Sequence, residues 1–260
     1  MRRARLVALL AVPLLVTAAV GGARPQVAAH RGGALLWPEN SLVAFRGALG
    51  LGVDLLELDV HLTKDGEAVV IHDPTLERTT TGRGAVRDHT AAELAALGVP
   101  RLRDVLELLR GSRAGLLLEI KAGLQGARYP GIEAKVLASL GEAGLTGRTT
   151  LMAFEWDTLE RLRRLSPTVR LTGLLTGRGA ERLGGVRLAA ERLRALGATD
   201  LGIERTLLAP EAVAAARAAG LTIGVWTVNE PEELRAALAS GVDYVTTDRP
   251  DLALALREGR

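Results

Sequence analysis

The stretch LTIGVWTVNEPEELRAALASGVDYVTT, residues 221–247, shows in one unit the pattern on which the whole chain is built. Leu221 to Val228 is apolar and rich in β-branched residues, the composition of a strand covered on both faces. Asn229 is placed to cap a helix, Pro231 falls in its first turn, and Glu232 and Glu233 favour the positive end of its dipole. The helix runs through Leu234 to Ala239 and stops at Gly241, after which Val242 to Thr247 reads as strand again. Strand, helix and strand in this order predict parallel pairing with a right-handed crossover.

The same alternation runs through the rest of the chain. Val27-Ala28-Ala29 leads into a loop and a helix around Ser41 to Leu49. Strand-like runs follow at 54–60, 68–72, 115–121, 149–154, 170–175, 200–204, 221–228 and 243–247. A TIM-type β/α barrel fits this number best, with one run in excess of eight; an open doubly wound sheet is the alternative. The surplus run has a local explanation. Lys64-Asp65-Gly66-Glu67 carries the Asp-Gly hairpin signal, and a turn at 65 and 66 would set Asp59 opposite His72. From Pro74 to about Leu109 the rhythm breaks, and this segment, with TTTGRG (79–84) and DHTAAELAAL (88–97), reads as a small helical insertion on the strand-end face. No linker or low-complexity stretch divides residues 25–260, which read as one domain.

The formal charge of +3 is misleading. Arg2, Arg3, Arg5 and Arg24 precede any acid, and without them 29 basic residues face 30 acidic ones, a net of −1. A body so balanced, with no basic run, argues against nucleic acid as a partner. The four arginines belong to a different feature. MRRAR, the 15-residue apolar run Leu6 to Val20, and Gly21-Gly22-Ala23 are the three parts of a secretory signal. Residues 1–24 are therefore expected to direct export, either as a cleaved signal peptide or as an uncleaved anchor. Membrane contact is expected only in the second case. The absence of cysteine excludes a disulfide framework, a zinc–thiolate site and a cysteine nucleophile.

Polar groups interrupt the apolar strands near their C-terminal ends, the end that faces the active site in a β/α barrel. They are His30 and Arg31, Glu57 and Asp59, His72, Glu119 and Lys121, and Trp226. Side chains two apart on a strand share a face, so Glu57 lies with Asp59 and Glu119 with Lys121. One such carboxylate could simply pair with an arginine. Three in one barrel mouth would repel, and a hard divalent cation with oxygen ligands, Ca²⁺ or Mg²⁺, relieves that. Zinc is less favoured without cysteine.

HRGGALLWPENSLVAF (30–45), ELDVHLTKDGEAVVIHD (57–73), LEIK (118–121), VWTVNE (225–230) and DYVTTDRPD (243–251) resemble the glycerophosphodiester phosphodiesterase family. The resemblance extends from about Val27 to Leu252 and includes the long segment after His72. It implies a metal-dependent hydrolase that splits glycerophosphodiesters into glycerol 3-phosphate and an alcohol. By the same resemblance Glu57, Asp59 and Glu119 would bind the metal, His30 and His72 would be the acid–base pair, Arg31 and Lys121 would hold the phosphate, and Trp226 would line the alcohol end. A lysophospholipase D-like or cyclising enzyme acting on lipids is the nearest rival, and an exported phosphodiester-binding protein a more distant one.

Other polar residues are given lesser parts. His61 is expected to be solvated past the strand end. His89 reads as a capping or exposed residue, and Glu39 and Asn40 as shaping a turn and capping the next helix, with a role near substrate secondary. The two TGRG stretches, 81–84 and 176–179, read as turns, since neither has the Lys-Ser/Thr of a phosphate loop.

Overall fold

The structure, a computed structural model, describes residues 24–259. The expected export segment therefore lies, apart from Arg24, outside the described residues. Among the described residues there are nine strands: β1 (Gln26–Ala29), β2 (Leu55–Leu62), β3 (Ala68–Val70), β4 (Gly115–Ile120), β5 (Thr149–Ala153), β6 (Arg170–Leu175), β7 (Asp200–Glu204), β8 (Thr222–Trp226) and β9 (Tyr244–Thr247). Eight of them are parallel neighbours in the order β1-β9-β8-β7-β6-β5-β4-β2, and β1 pairs with β2 to close the ring. This is a TIM-type barrel, and the closure excludes the open doubly wound sheet.

The helices are α1 (Leu42–Leu51), α2 (Ala91–Ala96), α3 (Leu102–Arg110), α4 (Ile132–Ala143), α5 (Trp156–Leu165), α6 (Gly177–Leu183), α7 (Val186–Ala195), α8 (Pro210–Ala218), α9 (Pro231–Ala239) and α10 (Pro250–Arg257). Their starts follow from local chemistry. Ser41 accepts from the Ala44 amide, and Pro210, Pro231 and Pro250 stand at the first helical positions of α8, α9 and α10, where no amide proton is needed. The second TGRG is not a turn but a helix start, with Thr176 accepting from the Gly179 amide at 3.0 Å.

Each barrel strand divides its side chains by parity. On β2, Leu56, Leu58 and Val60 turn outward into the core under the helices. Each such fully buried leucine contributes about 1.5–3 kcal/mol. Inside the barrel, Ala28, Leu117, Met152, Leu174 and Tyr244 form an apolar floor. Glu57, Asp59 and Glu119 share this inward parity, Glu57 in register with Leu117 and Asp59 with Glu119 one step nearer the mouth. The floor depends on Gly224, because a β-carbon there would overlap the Tyr244 ring. Gly224→Ala is expected to cost about 1–3 kcal/mol through overpacking, measurable by urea unfolding.

β3 stands outside the ring as an antiparallel partner of β2, which accounts for the ninth strand. The expected register needs a correction. Val60 pairs with Val70 and His61 with Val69, so Asp59 faces Ile71, whose amide donates to the Asp59 carbonyl at 3.1 Å. The turn takes three residues, Lys64 to Gly66, because Gly66 at φ +75° supplies the left-handed position that a three-residue hairpin requires. His72 consequently sits one place beyond the expected partner, just past the end of β3.

The segment after His72 contains two kinds of helix. α2, fixed by a reciprocal cap between Thr90 and Glu93, packs in a separate small core with Val69, Ile71, Leu76, Val86 and Val99. α3 instead packs against α1 and α4 in the outer ring. His89 is half-buried beside the cap rather than forming it, with Nε2 3.0 Å from the Arg83 carbonyl.

Candidate active site

β2 and β4 are neighbours with Asp59 in register with Glu119, so strand geometry alone brings three carboxylates together. Glu57, Asp59 and Glu119 are all buried, and each offers an oxygen within 4.8 Å of the others. Lys121 Nζ lies 2.7 Å from Glu119 Oε1 and 3.1 Å from Asp59 Oδ1. The Arg31 amide donates to Glu57 Oε2 at 2.8 Å, and Arg31 Nε lies 3.4 Å from Asp59 Oδ2.

Two nearby cations cannot neutralise three buried carboxylates, and the acidities divide accordingly. Burial would push Asp59 up, but Lys121 and then Arg31 hold it well below the usual carboxylate range. Burial and the charge of Asp59 raise Glu57 to about 7. Burial raises Glu119 to about 8, against the pull of Lys121 and with help from Asp59. The Lys121 charge is therefore matched chiefly by Asp59. The buried Asp59 Oδ1 has that ion pair but no directed hydrogen bond, so it retains acceptor capacity. An all-oxygen set short of positive charge, with an open acceptor at its centre, fits a hard divalent cation.

The histidines approach from two sides. Ala29 and Thr247 are in register across the parallel β1–β9 pair, which places the next residues, His30 and Asp248, together. His30 Nδ1 lies 2.7 Å from Asp248 Oδ1, and Asn229 Nδ2 donates to Asp248 Oδ2 at 2.7 Å. A carboxylate partner assigns the proton to Nδ1 and leaves Nε2 free, 4.0 Å from Glu57 Oε2. His72 has the same arrangement, with Nδ1 2.7 Å from Asp73 Oδ1. Burial lowers the pKa of His30, but Glu57 and Asp248 outweigh it and leave the ring above its ordinary value. For His72 burial prevails over the carboxylates, and the ring lies below its ordinary value.

One cavity joins these groups. His30, Arg31, Glu57, His72, Glu119 and Lys121 form its polar side, and Met152, Phe154, Leu174, Trp226 and Tyr244 its apolar side. Trp226 packs edge-on against Phe154 with ring centroids 5.4 Å apart. Every residue proposed from the sequence thus lies on the cavity, except Asp59, which is buried behind it within the carboxylate cluster.

Sequence reasoning misassigned or missed the residues that hold this set in place. His61 is not solvated: β2 continues past Asp59 because it pairs with β3, and His61 is fully buried. Its Nε2 faces the His72 carbonyl at 3.0 Å and its Nδ1 faces the Tyr129 hydroxyl at 2.9 Å. A carbonyl can only accept, so Nε2 carries the proton and Tyr129 donates to Nδ1. Burial lowers the His61 pKa to about 4, in keeping with a neutral ring. Asn40 does not cap α1, a task performed by Ser41; its Nδ2 donates to Asp59 Oδ2 at 2.9 Å. Asn229 likewise serves Asp248 instead of α9, whose first turn follows Glu230. The available signal was the pairing of each catalytic candidate with an acid next to a strand end, Asp73 after His72 and Asp248 after Thr247. Asn40→Ala is expected to lower divalent-cation affinity roughly 10–100-fold, read by calorimetric titration, because Asp59 loses its orienting donor.

Comparison with known proteins agrees with this geometry. Residues 30–252 match the Glycerophosphoryl diester phosphodiesterase family. A glycerophosphodiester phosphodiesterase of Caldanaerobacter subterraneus subsp. tengcongensis is 34% identical over 88% of this chain and 96% of its own. A crystal structure of a putative glycerophosphoryl diester phosphodiesterase from Agrobacterium tumefaciens superposes with a TM-score of 0.86 at 31% identity, covering 91% of this chain and 98% of that one. An Oleispira antarctica phosphodiesterase, solved in complex with the product sn-glycerol-3-phosphate, superposes with a TM-score of 0.76 at 26% identity, covering 90% of this chain and 97% of that one. The chain belongs to the glycerophosphoryl diester phosphodiesterase family.

Proposed function

We propose that the protein hydrolyses glycerophosphodiesters to glycerol 3-phosphate and an alcohol, with one divalent cation, Ca²⁺ or Mg²⁺, held by Glu57, Asp59 and Glu119. The observation that carries this reading is the convergence of three buried carboxylates, two carboxylate-oriented histidines and two cationic side chains on one cavity. The product bound to the Oleispira relative supports the same substrate class. When bound, the cation would neutralise charge on the phosphoryl oxygens.

The chain's own residues supply the rest. Arg31 and Lys121 bind the phosphate oxygens, and the Phe154–Trp226 wall receives apolar surface of the diester. His72, with its depressed pKa, takes a proton from the attacking hydroxyl at Nε2, and His30, with its raised pKa, gives one to the leaving oxygen from Nε2. Asp73 and Asp248 hold the opposite ring nitrogens and stabilise each imidazolium. The test is release of glycerol 3-phosphate from glycerophosphocholine by purified residues 24–260 with Ca²⁺, Mg²⁺ or EDTA. Metal-independent release, or none on any glycerophosphodiester, would sink the proposal.

Cation binding should also compete with protons. Glu57 and Glu119 have raised pKa values of about 7 and about 8, so in the free site they hold protons at lower pH that a cation must displace. The sign is fixed: cation affinity falls as pH is lowered from about 8 to 6. Titrations at several pH values check it, and a pH-independent dissociation constant would contradict it.

A second reading, action on lysolipids, draws on the apolar half of the cavity and on Phe154, 36% exposed at its rim. Choline release from lysophosphatidylcholine at a rate matching glycerophosphocholine would favour it. We further propose export, on the basic-then-apolar pattern of residues 1–24; N-terminal sequencing of the protein from its native host would show whether the segment is removed.

A further inference from the structure

Arg78 belongs to the segment after β3 and lies outside the set of groups given a role above. Its guanidinium makes four hydrogen bonds to two carboxylates. Nε and Nη2 donate to Asp73 Oδ2 and Oδ1 at 2.6 and 3.1 Å, and Nη1 and Nη2 donate to Glu39 Oε2 and Oε1 at 2.7 and 2.8 Å. Each carboxylate also holds a side chain of the active site. Asp73 Oδ1 lies 2.7 Å from His72 Nδ1, and Arg31 Nη1 donates to Glu39 Oε1 at 3.1 Å. A continuous chain of contacts, Arg31–Glu39–Arg78–Asp73–His72, therefore links the end of β1 to the end of β3.

The geometry has a physical purpose that a simple surface ion pair lacks. A carboxylate held by one imidazole alone can rotate about its terminal bond and carry the ring with it. The planar guanidinium engages both oxygens of Asp73 and both of Glu39, which fixes each rotor while leaving a lone pair for the inner partner. Attachment of the segment does not depend on Arg78. The Lys64 amide donates to the His89 carbonyl at 2.8 Å, the Ala91 amide to Asp65 Oδ1 at 3.0 Å, and the segment has its own apolar core.

We propose that Arg78 is a positioning residue: through Asp73 and Glu39 it sets the orientation of the His72 ring and the Arg31 guanidinium, so that the inserted segment helps assemble the active site. This rests on the hydrolase reading above, and one arm of the test is independent of turnover.

The experiment uses the full chain with Arg78→Ala, Arg78→Lys and Asp65→Ala, the last loosening the segment without touching Asp73 or Glu39. On glycerophosphocholine with saturating cation, Arg78→Ala should lose roughly ten- to a hundredfold in kcat with a smaller change in KM. Added guanidinium ion should restore several-fold, since the Arg78 side chain is 45% exposed and its site can be refilled from solvent. Arg78→Lys, a point charge that cannot hold both carboxylates, should fall between the two. Asp65→Ala should lower thermal stability and leave kcat unchanged. A crystal structure of Arg78→Ala should show the His72–Asp73 or Arg31–Glu39 pair displaced. Wild-type kcat in Arg78→Ala, or an equal kcat loss in Asp65→Ala without guanidinium rescue, would overturn the proposal. So would both pairs remaining in place in the crystal, whatever the turnover. A wild-type protein inert on every glycerophosphodiester would count against the hydrolase reading, and the crystal structure would then decide the role of Arg78.

Discussion

Asp59→Asn should abolish divalent-cation binding and lower turnover by roughly a thousandfold or more, while the protein remains folded. Asp59 is the carboxylate that keeps its charge in the free site, because Lys121 and Arg31 outweigh its burial. The amide removes that charge from the centre of the cation site. Loss of several kcal/mol of charge stabilisation at the phosphoryl group corresponds to the expected rate effect, at about 1.4 kcal/mol per factor of ten. The fold survives for a reason visible in the same cluster. The charge of Asp59 helps raise Glu119, so without it Glu119 ionises more readily and takes over as partner of Lys121, already 2.7 Å away. Calorimetric titration with Ca²⁺ and Mg²⁺, alongside circular dichroism, separates these effects. Unchanged cation affinity in a folded variant would remove Asp59 from the cation site.

The second large effect concerns the histidines. His30→Ala and His72→Ala should each lower kcat by roughly 10²–10⁴-fold, the usual range for a positioned acid or base. The leaving group distinguishes their roles. A p-nitrophenyl diester of glycerol phosphate departs without protonation, so a variant lacking the acid regains most of its rate on that substrate, and a variant lacking the base does not. Recovery is expected for His30→Ala. Recovery confined to His72→Ala would reverse the two roles. In the wild type the corresponding signature is a bell-shaped pH profile, since His30 must hold a proton and His72 must lack one.

The barrel was legible because its strands are nearly continuous apolar runs, and a polar side chain within such a run must face something other than the core. Glu57, Asp59, Glu119 and Lys121 stand out on that ground from spacing alone. A residue whose partner lies outside its own turn or helix is not legible in this way. Asn40 and Asn229 stand immediately before capping or helical positions, and local rules assign them to the nearest helix; their side chains instead reach Asp59 and Asp248, each 19 residues on and associated with the neighbouring strand. His61 was misplaced because its burial depends on β3 and on Tyr129, 68 residues later. Arg78 offered no periodic signal, since its partners lie on two loops that only the folded chain brings together.

The pairing of His30 with Asp248 joins residues 218 positions apart, at the seam where the first strand meets the last. Contacts between residues so distant in sequence form slowly. The pairing of β1 with β2 is local by comparison, so most of the barrel can assemble before the seam closes. Until it does, His30 lacks the carboxylate that fixes its tautomer. Turnover should therefore lag behind helical content during refolding, and catalytic competence becomes a reporter of the final closure of the ring.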